Sequence, residues 1–73
     1  MNVVWSKPNC PFCVKAKALL DAKGIKYEVR EIGSGFTRED LLAAVPQAKT
    51  VPQIFLDNKL IGGYNELESM FKE

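Results

Sequence analysis

Histidine is absent from this 73-residue chain. The absence removes the imidazole side chain, both as a general base at neutral pH and as the commonest metal ligand. Only two cysteines are present, and two thiolates cannot complete the four-coordinate shell of zinc on their own. We therefore expect no metal centre within this chain, and the metal alternative is a zinc half-site that another chain would complete.

An excess of charge of either sign is also missing, since ten Lys and Arg residues face nine Asp and Glu residues. No basic block indicates nucleic-acid binding, and no apolar run approaches the roughly eighteen residues of a membrane span. The opening residues, MNVVWSKP, lack the charged and then apolar organisation of a signal peptide. We therefore expect a cytoplasmic protein with neither nucleic acid nor membrane as a partner.

The chain is too short for a large enclosed pocket. Its 73 residues predict a single domain over residues 1–73, which buries only about 60% of its unfolded surface. A ligand is therefore expected in a surface groove. We expect the protein to be a monomer.

The two cysteines lie three apart in the segment CPFC at 10–13, directly after a short apolar run. Pro11 suits the first position of a helix, where its missing N–H would be unpaired in any residue. Cys10 then lies at the helix cap and Cys13 one turn in, with their Cα atoms about 5 Å apart. That separation lies inside the disulfide range of roughly 4.4–6.8 Å.

This placement predicts different roles for the two sulfurs. Cys10 would face free backbone N–H groups at the positive end of the helix dipole, which lower the pKa of a thiol, and Lys7 would be a cationic neighbour. Cys13 would lie deeper, as the resolving thiol. In a reducing compartment such a pair is typical of catalysis or metal binding rather than of a structural disulfide.

Short elements follow one another without a repeat or a linker. The periodicity predicts a strand over 2–5, a helix that Gly24 ends, and a half-buried strand over 25–32. Thr37 can cap a second helix that Pro46 ends.

The second half of the chain predicts a hairpin and a closing helix. Two strands, 53–57 and 59–61, are joined by a tight turn, and a helix has its apolar stripe over 64–71. The order βαβαββα predicts an α/β fold with a four-stranded mixed sheet and helices on both faces.

Three motifs in this order resemble the signatures of the glutaredoxin family: CPFC at 10–13, TVPQIF at 50–55 and IGGY at 61–64. The resemblance covers essentially the whole chain and implies a thioredoxin-like fold. It also implies a glutathione-dependent thiol–disulfide oxidoreductase of the dithiol type, with Cys10 and Cys13 as its catalytic residues. Glutathione would be the reductant, and the partners would be glutathionylated or disulfide-containing proteins, with ribonucleotide reductase as a candidate.

The resemblance also implies a glutathione groove. The proline of the second motif would be cis and face the cysteines, the residue before it would offer free backbone groups to the cysteinyl part of glutathione, and the turn after the double glycine would hold the γ-glutamyl group. The residues carried over are Lys7, Phe12, Lys49, Thr50, Val51, Pro52, Gly63, Tyr64, Asn65 and Glu66.

The chain departs from the family pattern in two places. Phe12 stands where the family often has Tyr, so the apolar wall is kept and a hydroxyl is lost. Asn65 and Glu66 stand where many members carry Asp, which puts the side-chain contact to the γ-glutamyl ammonium in question. Lys7 and Lys49 also have a simpler interpretation, as solvated surface lysines.

Two other functions remain as alternatives. A redoxin that depends on thioredoxin reductase and donates electrons to ribonucleotide reductase would have similar size and fold, but such proteins usually lack the double-glycine site. An iron–sulfur carrier would need two chains and two glutathiones. Pro11 and the second thiol of Cys13 argue against a carrier, because closure of the disulfide competes for the cluster ligand.

Overall fold

The computed structural model describes residues 1–72. Its elements are β1 (Val3–Ser6), α1 (Pro11–Ala22), β2 (Glu28–Glu31), α2 (Arg38–Ala44), β3 (Gln53–Leu56), β4 (Lys59–Gly62) and α3 (Tyr64–Met70). The sheet order is β2-β1-β3-β4, with β1 and β2 parallel and the other neighbours antiparallel. This is the predicted βαβαββα order and the predicted mixed sheet.

The helices cover both faces of the sheet, as the pattern predicted. On one face, α1 and α3 pack Ala16, Leu20 and Leu67 against Val4 and Ile54 of the central strands. All five of these side chains are fully buried. This core fixes α1 against the strand that leads into the cysteine motif.

The other face of the sheet carries the single tryptophan. Trp5 packs with Leu41 and Val45 in a second core cluster, and its ring lies edge-on to Phe36 at 5.6 Å between centroids. The guanidinium of Arg30 lies 5.4 Å from the Trp5 ring and 5.5 Å from the Phe36 ring. Trp5 is therefore a packing residue.

Local sequence signals mark where α2 begins and where the chain turns between β3 and β4. Thr37 caps α2 through a reciprocal pair of hydrogen bonds with Asp40, at 3.1 and 2.9 Å. Asp57 and Asn58 form the β3–β4 turn, and both have positive φ (54° and 65°). A two-residue hairpin turn that matches the strand twist requires such φ values.

The longest predicted strand and one residue of the last predicted apolar stripe differ from the structure. The strand predicted over 25–32 pairs only from Glu28 to Glu31, because its partner β1 has four residues to offer, Val3 opposite Glu28 and Ser6 opposite Glu31. Ile25 and Tyr27 instead pack against the core from the loop before β2. The apolar stripe predicted over 64–71 includes Met70, but this side chain is 49% exposed at the last residue of the helix.

Candidate active site

The cysteine motif begins α1 as predicted. Cys10 is the N-cap residue in an extended conformation, Pro11 opens the helix, and the two cysteines form a disulfide with Cα atoms 5.2 Å apart. The Cys10 sulfur accepts a hydrogen bond from the backbone N–H of Cys13, at 3.1 Å. The backbone therefore supplies the donor that would stabilise a thiolate at Cys10.

The two sulfurs differ in surroundings. Cys13 is 1% exposed and Cys10 is 7% exposed. The sulfur of Cys10 lies 3.8 Å from the carbonyl oxygen of Val51, so it faces the segment that the second motif supplies. Cys13 lies on the inner face of α1 with Ala16 and Leu20. This arrangement suits Cys10 for attack on a substrate and Cys13 for attack on Cys10.

The second motif forms the edge next to Cys10. The Val51–Pro52 peptide bond is cis, as the resemblance implied. Val51 precedes β3 and has no strand partner, and no backbone hydrogen bond involves its N–H or C=O within residues 1–72. These two groups are free to pair with an extended peptide as an added strand would.

A cavity of about 300 Å³ lies on one side of this edge. Its apolar wall contains Phe12 and Tyr64, whose ring centroids are 6.0 Å apart. Phe12 is 52% exposed, so its ring stands at the mouth of the groove. The predicted residues that line this cavity are Phe12, Thr50, Val51, Pro52, Gly63, Tyr64, Asn65 and Glu66.

A cationic cavity of about 150 Å³ lies beyond Thr50 and Val51, which line both cavities. Lys7 and Lys49, the two predicted cations, both line it. Arg38 lines it too and was missed by the sequence reasoning. The sequence did contain a signal for this residue. Arg38 is the first helical residue after the Thr37 cap, where a cation interacts unfavourably with the helix dipole. A basic residue at this position therefore indicates a role other than stabilising the helix.

The double glycine brings the chain to the start of α3. Gly62 has φ of 123°, a region that favours glycine. Glu66 folds back so that its carboxylate accepts a hydrogen bond from the Gly63 N–H at 2.9 Å. One backbone donor at this turn is therefore already used by Glu66.

Comparison with known proteins agrees with this geometry. The glutaredoxin family model matches residues 2–61. A relative, glutaredoxin 1 of Rickettsia conorii, is 45% identical over 74 residues, which cover 97% of this chain and 72% of that protein. The chain belongs to the glutaredoxin family.

Other glutaredoxins agree in sequence and in fold. The glutaredoxin of Haemophilus influenzae is 41% identical over 80 residues, covering 97% of this chain and 90% of that protein. The crystal structure of a buckwheat glutaredoxin–glutathione complex has a TM-score of 0.79 and 32% identity, and the match covers 93% of this chain and 64% of that one.

The family membership confirms the thioredoxin-like fold class and the enzyme class predicted from the motifs. The protein is a glutathione-dependent thiol–disulfide oxidoreductase of the glutaredoxin family with a CxxC dithiol. The roles of the individual groove residues, the extent of the domain and the monomeric state remain predictions.

Within residues 1–72, no group of three or more His, Cys, Asp or Glu side chains lies close enough to hold a metal ion. No helix in that part of the chain has the length and apolar character needed to cross a membrane.

Proposed function

We propose that this glutaredoxin binds glutathione across the two cavities, with the cysteinyl part of the tripeptide on Val51 and its sulfur next to Cys10. The observation that carries the proposal is that both cavities meet at Thr50 and Val51, where the Cys10 sulfur lies 3.8 Å from the Val51 carbonyl oxygen. An extended tripeptide on this edge would place its middle residue at the nucleophile and its two ends in the two cavities.

The chemistry of the two cavities supports one direction for the tripeptide. The glycyl carboxylate would meet the cationic cavity of Lys7, Arg38 and Lys49, which suits an anion. The γ-glutamyl end, which carries both an ammonium and a carboxylate, would lie at the start of α3 near Asn65 and Glu66. The Glu66 carboxylate, with one oxygen committed to Gly63, is a candidate partner for the ammonium.

The reaction follows from the two sulfur environments. The Cys10 thiolate attacks the glutathione sulfur of a mixed disulfide, the substrate thiol leaves, and Cys10 then carries glutathione. A second glutathione thiolate attacks that sulfur, which releases glutathione disulfide and regenerates Cys10. With a protein disulfide, Cys10 forms the mixed disulfide and Cys13 attacks it, which closes the Cys10–Cys13 bond and frees the substrate dithiol.

The physiological partners in this proposal are glutathionylated and disulfide-containing proteins, with ribonucleotide reductase as one substrate to assay, in the cytoplasm. Glutathione disulfide would be returned to glutathione by an NADPH-dependent glutathione reductase. The cytoplasm is a reducing compartment, in which a closely spaced cysteine pair is more typical of catalysis than of a structural disulfide.

The test is an NADPH-coupled assay run in parallel with two electron sources. One arm contains glutathione and glutathione reductase, and the other contains thioredoxin reductase without glutathione. We expect sustained NADPH oxidation in the first arm only. Faster turnover with thioredoxin reductase would refute the proposal and favour the redoxin alternative.

A further inference from the structure

Ser6, the last residue of β1, has an unusual environment. Its side chain is fully buried, and it is the one buried polar residue of the described chain. Its hydroxyl oxygen is also the only buried side-chain oxygen or nitrogen within residues 1–72 that has no hydrogen-bond partner. A buried hydroxyl without a partner is destabilising, so this position calls for a physical explanation.

The strand and helix geometry places Ser6 beneath the cysteine motif. Successive side chains alternate along β1, so Ser6 shares the face of Val4, and Val4 packs with Ala16 and Leu20 of α1. Cys13 precedes Ala16 by one turn on the same inner helix face. Ser6 and Cys13 accordingly line the same open groove of about 610 Å³.

The Ser6 hydroxyl has no partner while the disulfide is closed. Neither sulfur of a disulfide carries a hydrogen that could be donated to the Ser6 oxygen, and neither sulfur accepts a hydrogen bond from the Ser6 hydroxyl in this state. Reduction by two glutathione molecules transfers two electrons and two hydrogens to the pair, breaks the S–S bond and yields glutathione disulfide. Cys13 then has an S–H that can donate to the Ser6 oxygen, or a thiolate that can accept from the Ser6 hydroxyl.

We propose that Ser6 is a positioning residue for the resolving thiol, whose hydroxyl pairs with the Cys13 sulfur only in the reduced protein and so stabilises the dithiol over the disulfide. The inference rests on the redox cycle of the proposed function. It adds a residue that acts through Cys13 and touches neither glutathione nor substrate.

The effect of nearby charged side chains must be distinguished from the effect of the Ser6 hydroxyl. Lys7, Lys17 and Glu31 line the same groove. Glu31 is the register partner of Ser6 across the parallel strands, so its side chain lies on the same face of the sheet. The variant Glu31→Gln therefore tests the charge next to Ser6 while leaving the hydroxyl in place.

The first experiment measures the equilibrium between dithiol and disulfide in a glutathione redox buffer, for the wild type, Ser6→Ala, Ser6→Thr and Glu31→Gln. This equilibrium depends only on the two end states, so it does not depend on whether a glutathione groove exists. We expect Ser6→Ala to shift it toward the disulfide by about tenfold, which is about 30 mV for a two-electron couple. Ser6→Thr, which keeps the hydroxyl, and Glu31→Gln should each stay within about threefold of the wild type.

Three results with the Ser6 variants would overturn the proposal. These are an unchanged equilibrium in Ser6→Ala, a shift toward the dithiol in Ser6→Ala, and an equal shift in Ser6→Ala and Ser6→Thr, which would show that volume matters and the hydroxyl does not. A shift in Glu31→Gln as large as that in Ser6→Ala would likewise assign the effect to charge.

A second measurement needs no threonine variant. In the single-thiol protein Cys10→Ser, thiolate absorbance follows the ionisation of Cys13 with pH. A hydroxyl donates more strongly to a thiolate than it accepts from a thiol, so adding Ser6→Ala should make Cys13 a several-fold weaker acid. An unchanged or stronger acid would contradict the proposed pairing.

Discussion

The backbone N–H of Cys13 donates a hydrogen bond to the sulfur of Cys10 at 3.1 Å. Through this contact the nucleophile serves as the N-cap of its own helix. A cap acceptor is strengthened when it carries negative charge, because charge-assisted hydrogen bonds are roughly twice as strong as neutral ones. The helix start therefore favours the thiolate of Cys10 over its thiol.

The first prediction follows from this contact. In the reduced protein, the pKa of Cys10 should lie well below that of a free cysteine thiol, because the N–H donors of α1 stabilise its thiolate. The pKa of Cys13, which is 1% exposed, should not be lowered in this way, because burial disfavours its charged form. Titration of thiolate absorbance in Cys13→Ser and Cys10→Ser measures the two separately. A Cys10 that titrates like free cysteine would show that the cap contact does not control its acidity.

The second prediction concerns the cations of the groove. Lys7→Ala and Arg38→Ala should each raise the KM for a glutathionylated peptide by up to about fivefold, because one partly exposed ion pair is worth about 0–1 kcal/mol. The kcat should change little, since the contact is made equally in the ground and transition states. The KM of the wild type should rise with salt more steeply than that of either variant.

Lys59→Ala is the matched control for the cations, because Lys59 is an exposed lysine of β4 that lines neither cavity. Its KM should equal that of the wild type. An equal rise in KM for Lys59→Ala and Arg38→Ala would mean that only the net charge of the protein affects binding. The cationic cavity would then have no specific role.

The sequence predicted the parts of the site that depend on local geometry. The cysteine spacing gave a Cα separation of about 5 Å, against 5.2 Å in the structure, because a helix start leaves little freedom over one turn. Arg38 was missed because its place in the groove depends on how α2 packs across the sheet. No local pattern specifies that packing. The burial of Ser6 depends in the same way on tertiary packing, in its case that of α1 against the sheet.

The third prediction concerns stability at the turn before α3. Glu66→Ala should lower the free energy of unfolding by about 1 kcal/mol, because the Gly63 N–H loses its acceptor at 2.9 Å. Glu66→Gln keeps an acceptor oxygen and should cost less than half as much. Denaturant unfolding measures both, with Glu68→Ala, an exposed position on the same helix, as the control. A Glu66→Ala protein as stable as Glu68→Ala would show that the contact adds nothing.

The fourth prediction concerns alkaline pH. The pKa of Tyr27 is raised from its ordinary value of 10.0 by burial, by its hydrogen bond to Asp21 and by the negative charge of Asp21. The hydroxyl donates to the Asp21 carboxylate at 3.1 Å. Because the raised pKa favours the neutral phenol in the folded state, its stabilisation is fully present below about pH 10 and is lost as the pH rises through the folded value.

Unfolding measured from pH 8 to pH 12 should therefore show a smaller alkaline loss of stability in Tyr27→Phe than in the wild type. Asp21→Asn should lower the pKa of Tyr27 toward its ordinary value, as phenolate absorbance in a Tyr64→Phe background would report. An identical alkaline loss in the wild type and Tyr27→Phe would remove the assigned role of this hydrogen bond.

The central claim is that the two sulfurs have separate roles, with Cys10 as the nucleophile and Cys13 as the resolving thiol. The most direct measurement compares two reactions, deglutathionylation of a peptide and reduction of a protein disulfide, for Cys10→Ser and Cys13→Ser. Cys13→Ser should keep the first reaction, because a second glutathione can release Cys10, and should be impaired in the second, which needs an internal thiol. Cys10→Ser should lose both, because Cys13 is buried one turn into α1. Substantial activity of Cys10→Ser in either reaction would contradict the account.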